Sequence, residues 1–165
     1  MIGLAAMLHR SSHAVWECQY HLVFSTKRRR GALRLEEERK YCARLLRRAA
    51  EVHDMNVLAV EVDVDHVHLF LEIPPQISIG KAVRMLKSLS ARHMFKKFPY
   101  LKKQLWTEQV WSPSYFVRSV GEGVTAEMVK RYIDTHDEKA AEMESAQAEL
   151  FPKVATRRPQ ETGGA

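Results

Sequence analysis

Two histidines with one residue between them, His66-Val67-His68, lie inside the apolar run from Val60 to Ile73. Far downstream, Tyr132 falls in a segment of helical periodicity, and His136 follows one turn later. Strand side chains alternate faces with period two, so His66, His68 and Phe70 point one way and Val67, Leu69 and Leu71 the other. The aliphatic set suits a helix-covered core, which leaves the histidines on an open face. Two imidazoles about 7 Å apart along a strand converge on one ion if the rings tilt inward. Taken alone, such a pair is more often surface or partner-contacting, and two ligands fall short of the roughly three that a catalytic metal usually takes from protein. Glu61, Asp63 and Asp65 are close enough in sequence to orient the imidazole N–H groups.

The last helix offers the complement. Met128, Tyr132 and His136 are spaced four apart, which places them on one helical face. If that face looks at the histidines, His136 is a third ligand and Tyr132 lies next to the metal. A phenol has a pKa of about 10 and is a poor nucleophile at neutral pH. A divalent ion polarises a phosphate and absorbs charge in the transition state. Covalent catalysis then divides one displacement into two and keeps the bond energy in a phosphotyrosine. A lone tyrosine, by contrast, reads as a helix-packing residue.

The elements that must position these residues follow from patterning. Val15 to Phe24 alternates, with Trp16, Cys18, Tyr20, Leu22 and Phe24 on one face and Glu17, Gln19 and His21 on the other. Glu36 to His53 is helical, with Leu35, Tyr41, Leu45, Leu46, Ala49 and Val52 near one stripe. Val57–Val64 and His66–Ile73 are strands meeting in a hairpin near Asp63-Val64-Asp65, and Pro74-Pro75 stops the second. Ser78 caps a helix that runs to about Phe98 on an inner stripe of Val83, Leu86, Leu89, Ser90 and His93 or Met94. Pro99 ends it. Trp111 to Tyr115 is a turn, Tyr115–Val120 a strand, Gly121–Gly123 a hinge, and Thr125 caps a helix to about Leu150. The order β-α-β-β-α-β-α implies an α+β, ferredoxin-like (split βαβ) antiparallel sheet with helices on one face, plus a C-terminal helix carrying Tyr132. Residues 1–13 are expected as a loose leader, 14–150 as one domain and 151–165 as a disordered tail.

Composition narrows the class. At 165 residues the chain supports a hydrophobic core without staples, and its 45% hydrophobic and 28% charged residues are ordinary for a globular protein. The formal net charge of +6 favours a polyanionic partner. Basic residues are unevenly spread. From Ile77 to Gln104 there are eight and no acidic ones, whereas Glu122 to Glu149 carries eight acidic against three basic. Lys81, Arg84, Lys87, Arg92, Lys96 and Lys97 on the long helix, and the run Lys27, Arg28, Arg29 and Arg30, are the candidate DNA contacts; the alternative is a solvated helix face. The two cysteines, Cys18 and Cys42, read as buried free thiols, which fits a reducing, cytoplasmic setting. No run reaches the roughly 18 apolar residues of a membrane span.

These residues together resemble the single-tyrosine HUH transposases, the TnpA-type enzymes of insertion sequences that move as single-stranded DNA, including REP-associated tyrosine transposases. The matching stretches are Tyr20-His21-Leu22-Val23-Phe24, Asp65-His66-Val67-His68-Leu69, Val83 to Met94, Trp111-Ser112-Pro113-Ser114-Tyr115-Phe116 and Lys130-Arg131-Tyr132-Ile133, over roughly residues 14–140. The resemblance implies that His66 and His68 bind Mg²⁺ or Mn²⁺ and that Tyr132 is the nucleophile. It places a third ligand, usually Gln, four residues after the tyrosine, where this chain has His136. A nitrogen donor there favours Mn²⁺ somewhat. Val64 is a second departure, because relatives often carry Pro before the Asp. The resemblance further implies single-stranded DNA with hairpin ends as partner, a 5′-phosphotyrosine with a free 3′-OH, and a homodimer with composite active sites. Two other readings stay open: a non-catalytic or domesticated ferredoxin-like DNA-binding protein, and a metal-dependent phosphoesterase.

Overall fold

The computed structural model describes residues 9–120, and the expected hinge, tyrosine helix and tail lie outside them. The described chain runs through β1 (His9–Arg10), β2 (Val15–Trp16), β3 (Gln19–Ser25), α1 (Glu36–Val52), β4 (Asn56–Val62), β5 (His66–Glu72), α2 (Ile79–Lys97), α3 (Leu101–Leu105) and β6 (Phe116–Val120). The four long strands form one antiparallel sheet in the order β4-β5-β3-β6. That is the split βαβ arrangement expected from the element order, with α1 and α2 packed together.

Alternation sets which face is core. Leu22 and Phe24 of β3 and Val67, Leu69 and Leu71 of β5 are buried with Cys42, Leu46, Ala49 and Ala50 of α1 and Val83 and Leu86 of α2. On α2 the inner stripe ends on Met94, while His93 is exposed. Ser78 caps this helix, its Oγ accepting from the Lys81 backbone N–H at 3.3 Å. The start of α1 is held differently. Buried Glu38 accepts from the Leu35 backbone N–H at 2.8 Å and from the Tyr100 hydroxyl. Burial and then the Glu38 carboxylate push the Tyr100 phenol up to about 12.

Several expectations need correction. The strand foreseen from Val15 to Phe24 is broken at Glu17 and Cys18. Val15 and Trp16 turn back to pair with His9 and Arg10, so part of the expected leader is a hairpin. His9 stacks on Trp16 and reaches the Glu72 carboxylate at 2.8 Å, which anchors that hairpin to β5. Burial alone would raise the Glu72 pKa, but hydrogen bonds from Asn56, His9 and Gln19 outweigh it and hold the carboxyl below the usual range. Cys18 is only half-buried, because it sits at this break, whereas Cys42 is fully buried. Leu35 and Val52, placed on the α1 stripe by periodicity, are exposed, Leu35 at its cap and Val52 in its last turn. Pro99 does end α2, but the chain re-enters the core through α3, whose Leu101 and Leu105 are buried.

Candidate functional site

The face of β5 opposite the core carries His66, His68 and Phe70. β3 supplies its neighbours through the register Ser25↔His66, Val23↔His68 and His21↔Phe70. His21 is therefore diagonal to His68 on the same face, the second-nearest cross-strand relation and within reach of aromatic side chains. The face is not open at this point: His21 is 1% exposed and His68 7%, and the His21, His68 and Phe70 rings pack on one another. His21 stacks on Phe70 at 4.4 Å and 9°, and Phe116 of β6 meets its edge at 6.2 Å.

The two histidines of the pair are closer than an untilted strand would place them. Their ring centroids are 4.9 Å apart with planes at 80°. Each has its Nδ1 engaged by a neighbour. His66 Nδ1 lies 2.7 Å from Asp65 Oδ1. His68 Nδ1 lies 3.1 Å from His21 Nε2. The His21 and His68 rings are within 16° of parallel, with centroids 5.4 Å apart. That separation exceeds the N···N distance by about two ring radii, so the hydrogen bond lies nearly in the plane of both rings. With both Nδ1 atoms engaged, Nε2 is the atom through which each ring would hold a metal, and such orienting partners fix tautomer and ring direction. Two imidazole nitrogens held this way would suit a divalent ion as part of a larger donor set. Among the described residues no group of three His, Cys, Asp or Glu is placed to hold a metal. The expected third ligand, His136, and the expected nucleophile, Tyr132, lie outside the described residues.

The family model of IS200-like transposases matches residues 14–136. The chain belongs to the IS200-like transposase family. It is 37% identical over 125 residues to the ISDra2 transposase TnpA of Deinococcus radiodurans, covering 76% of this chain and 88% of that one. It is 34% identical over 110 residues to the transposase for insertion sequence element IS200 of Salmonella typhimurium, covering 67% and 72%. A crystal structure of a transposase from Deinococcus radiodurans superposes with a TM-score of 0.64 at 35% identity, over 78% of this chain and 97% of that one. Membership makes the chain a DNA transposase, of the enzyme class that cuts and rejoins DNA. No helix among its described residues is long and apolar enough to cross a membrane.

The expected DNA contacts of this transposase divide by what they touch. Lys81, Arg84, Arg92 and Lys96 are exposed on α2. Lys97 pairs with Glu37 at 2.7 Å and lies over the Tyr41 ring. Lys87 is half-buried and points into the protein. Its Nζ donates to the backbone carbonyls of Ser112, Pro113 and Ser114 at 2.7, 3.4 and 2.8 Å, above the Phe24 and Tyr115 rings. Burial pushes its ammonium pKa down to about 8. Lys87 is thus a clamp on the turn that leads into β6. Trp111 anchors the same turn, donating from Nε1 to Ser90 Oγ at 2.9 Å and meeting Phe24 edge-on. The basic run Lys27–Arg29 is a single 3-10 turn in which Arg28 and Arg29 both take positive φ. Arg29 comes within 3.9 Å of Asp65, the residue that orients His66, so this loop borders the histidine pair.

Sequence reasoning did not place His21 at the site. The signal was present in its position among the polar residues of β3, on the face opposite the core. What patterning lacked was the β3–β5 register that sets it beside His68.

Proposed function

We propose that this transposase cleaves and rejoins single-stranded DNA at insertion-sequence ends through a 5′-phosphotyrosine on Tyr132. His66 and His68 hold a divalent ion, Mg²⁺ or Mn²⁺, through their Nε2 atoms, with His136 completing the set. The observation that carries this reading is the engagement of both Nδ1 atoms, by Asp65 and by His21, on two rings 4.9 Å apart.

When bound, the ion supplies charge neutralisation at the scissile phosphate. The protein's own part is positioning. Asp65 and His21 hold the two imidazoles, and Arg28, Arg29, Lys81, Arg84, Arg92 and Lys96 draw the phosphate backbone to the same protein. The Tyr132 oxygen forms a bond to phosphorus while the P–O3′ bond breaks, and the departing oxygen takes a proton to leave a free 3′-OH. The reverse displacement by a 3′-OH releases Tyr132 and rejoins the strand. The substrate is single-stranded DNA with hairpin ends, and the working unit is a homodimer with composite sites.

The test is a labelled single-stranded hairpin oligonucleotide incubated with Mn²⁺ and run on a denaturing gel. A covalent protein–DNA band that disappears in Tyr132→Phe is expected. Cleavage without an adduct, unchanged in Tyr132→Phe, would instead indicate a phosphoesterase. Binding with no cleavage under any metal would indicate a DNA-binding module.

A further inference from the structure

Trp106 is 80% exposed, the most exposed of the large apolar side chains described. It caps α3 in the left-handed conformation, φ 54 and ψ 36. That cap is ordinarily a glycine position, because a Cβ is disfavoured there. A large indole held outward at such a position calls for a partner. One face of the indole is occupied: the Arg30 guanidinium carbon lies 5.7 Å from its centroid, and Arg30 Nη1 donates to the Gln104 carbonyl at 3.3 Å. The mounting is firm. Leu101, Leu105 and Val110 are buried on either side of Trp106 in sequence. Lys27 ties the basic loop to the far side of the Trp106 loop, from its backbone N–H to the Val110 carbonyl at 2.8 Å and from Nζ to Gln109 at 2.7 Å.

We propose that Trp106, backed by Arg30, is a stacking shelf for one unpaired base of single-stranded DNA. The inference rests on the reading of the chain as a transposase acting on single strands. A flat π surface with a guanidinium behind it and cations around it is the chemistry that binds an unpaired nucleotide, by stacking on the ring and by charge on the phosphates. Arg28 and Arg29 precede Arg30 in the basic loop and Lys102 and Lys103 precede Trp106 on α3; all four are exposed, with Lys102 paired to Glu108 at 3.3 Å. A paired base inside a duplex has both faces covered, so the shelf selects an unpaired one. A second copy of this chain is the poorer occupant. A two-fold interface centred on Trp106 would set the same cations against each other. The shelf is also connected to the histidine pair, since the loop that carries Arg30 reaches Asp65 through Arg29.

The experiment is binding of the full chain, in EDTA so that cleavage plays no part, to a labelled single strand and to a fully paired duplex of the same sequence. Trp106→Ala should weaken single-strand binding about tenfold, within the roughly 5- to 150-fold that one stacked base commands. Duplex binding should hold, and Trp106→Phe should restore most of the loss. In the single strand, one abasic position should weaken the wild type by a similar factor and add nothing to Trp106→Ala. Equal losses on both DNAs, no loss on either, or a change in oligomeric state on sedimentation would overturn the shelf. Because no metal or Tyr132 chemistry enters, this result is independent of whether the covalent adduct forms.

Discussion

On the proposed metal role of His66 and His68, replacing His21 with phenylalanine should weaken metal binding through its neighbour His68. Phenylalanine keeps the flat stack on Phe70, 4.4 Å away at 9°, but is larger by one ring atom at a buried position, so its fold is checked by a melt. It removes the nitrogen 3.1 Å from His68 Nδ1. His68 can ligate through Nε2 only as the tautomer with its proton on Nδ1, and that tautomer donates to His21 Nε2. Without the acceptor, the competing tautomer, with a proton on Nε2, is no longer disfavoured. Loss of an orienting partner lowers metal affinity roughly 10- to 100-fold. A loss at or just under the lower end, about five- to tenfold, is expected here, because the partner is a neutral imidazole and a neutral hydrogen bond contributes about 1 kcal/mol net. Calorimetric titration of Mn²⁺ into wild type, His21→Phe and His21→Gln measures it. Glutamine offers an amide oxygen near the lost Nε2 and should recover part of the affinity. A thermal melt of His21→Phe separates a folding defect from a metal defect. Wild-type Mn²⁺ affinity in a folded His21→Phe protein would refute the argument, as would an equal loss in His21→Gln.

Two further outcomes follow from groups whose ionisation the fold shifts. Lys87 has a folded pKa of about 8 against the usual 10.5. Between those values the unfolded chain keeps a proton that the folded chain has released, so this group's contribution to stability rises with pH across that window. Urea midpoints of wild type should therefore improve relative to Lys87→Met from pH 7.5 to pH 10, and a constant difference would count against it. Burial pushes the Cys42 thiol up to about 12, so a thiol reagent at pH 8 should leave it unmodified in the native protein and label it in guanidinium, as peptide mapping would show. Labelling of native Cys42 at the unfolded rate would contradict its burial.

The sequence by itself determined most of the fold. Ser78, Pro74-Pro75 and Pro99 mark element ends through local backbone chemistry, and the alternation across His66 to Leu71 assigns the two faces of β5. These signals are local, so they survive without knowledge of what packs where. The tertiary structure alone decided the rest. His21 and His68 are 47 residues apart, and only strand register makes them partners. Lys87 reads as one more cation on a basic helix, and only the folded turn supplies the three carbonyls that take up its donors. Trp106 carries no periodic signal, and its exposure beside Arg30 depends on two loops that meet only when α3 is seated. Period-two and period-3.6 patterns report which way a side chain points. They carry no information on which distant side chain it meets, and at this site the chemistry depends on those meetings.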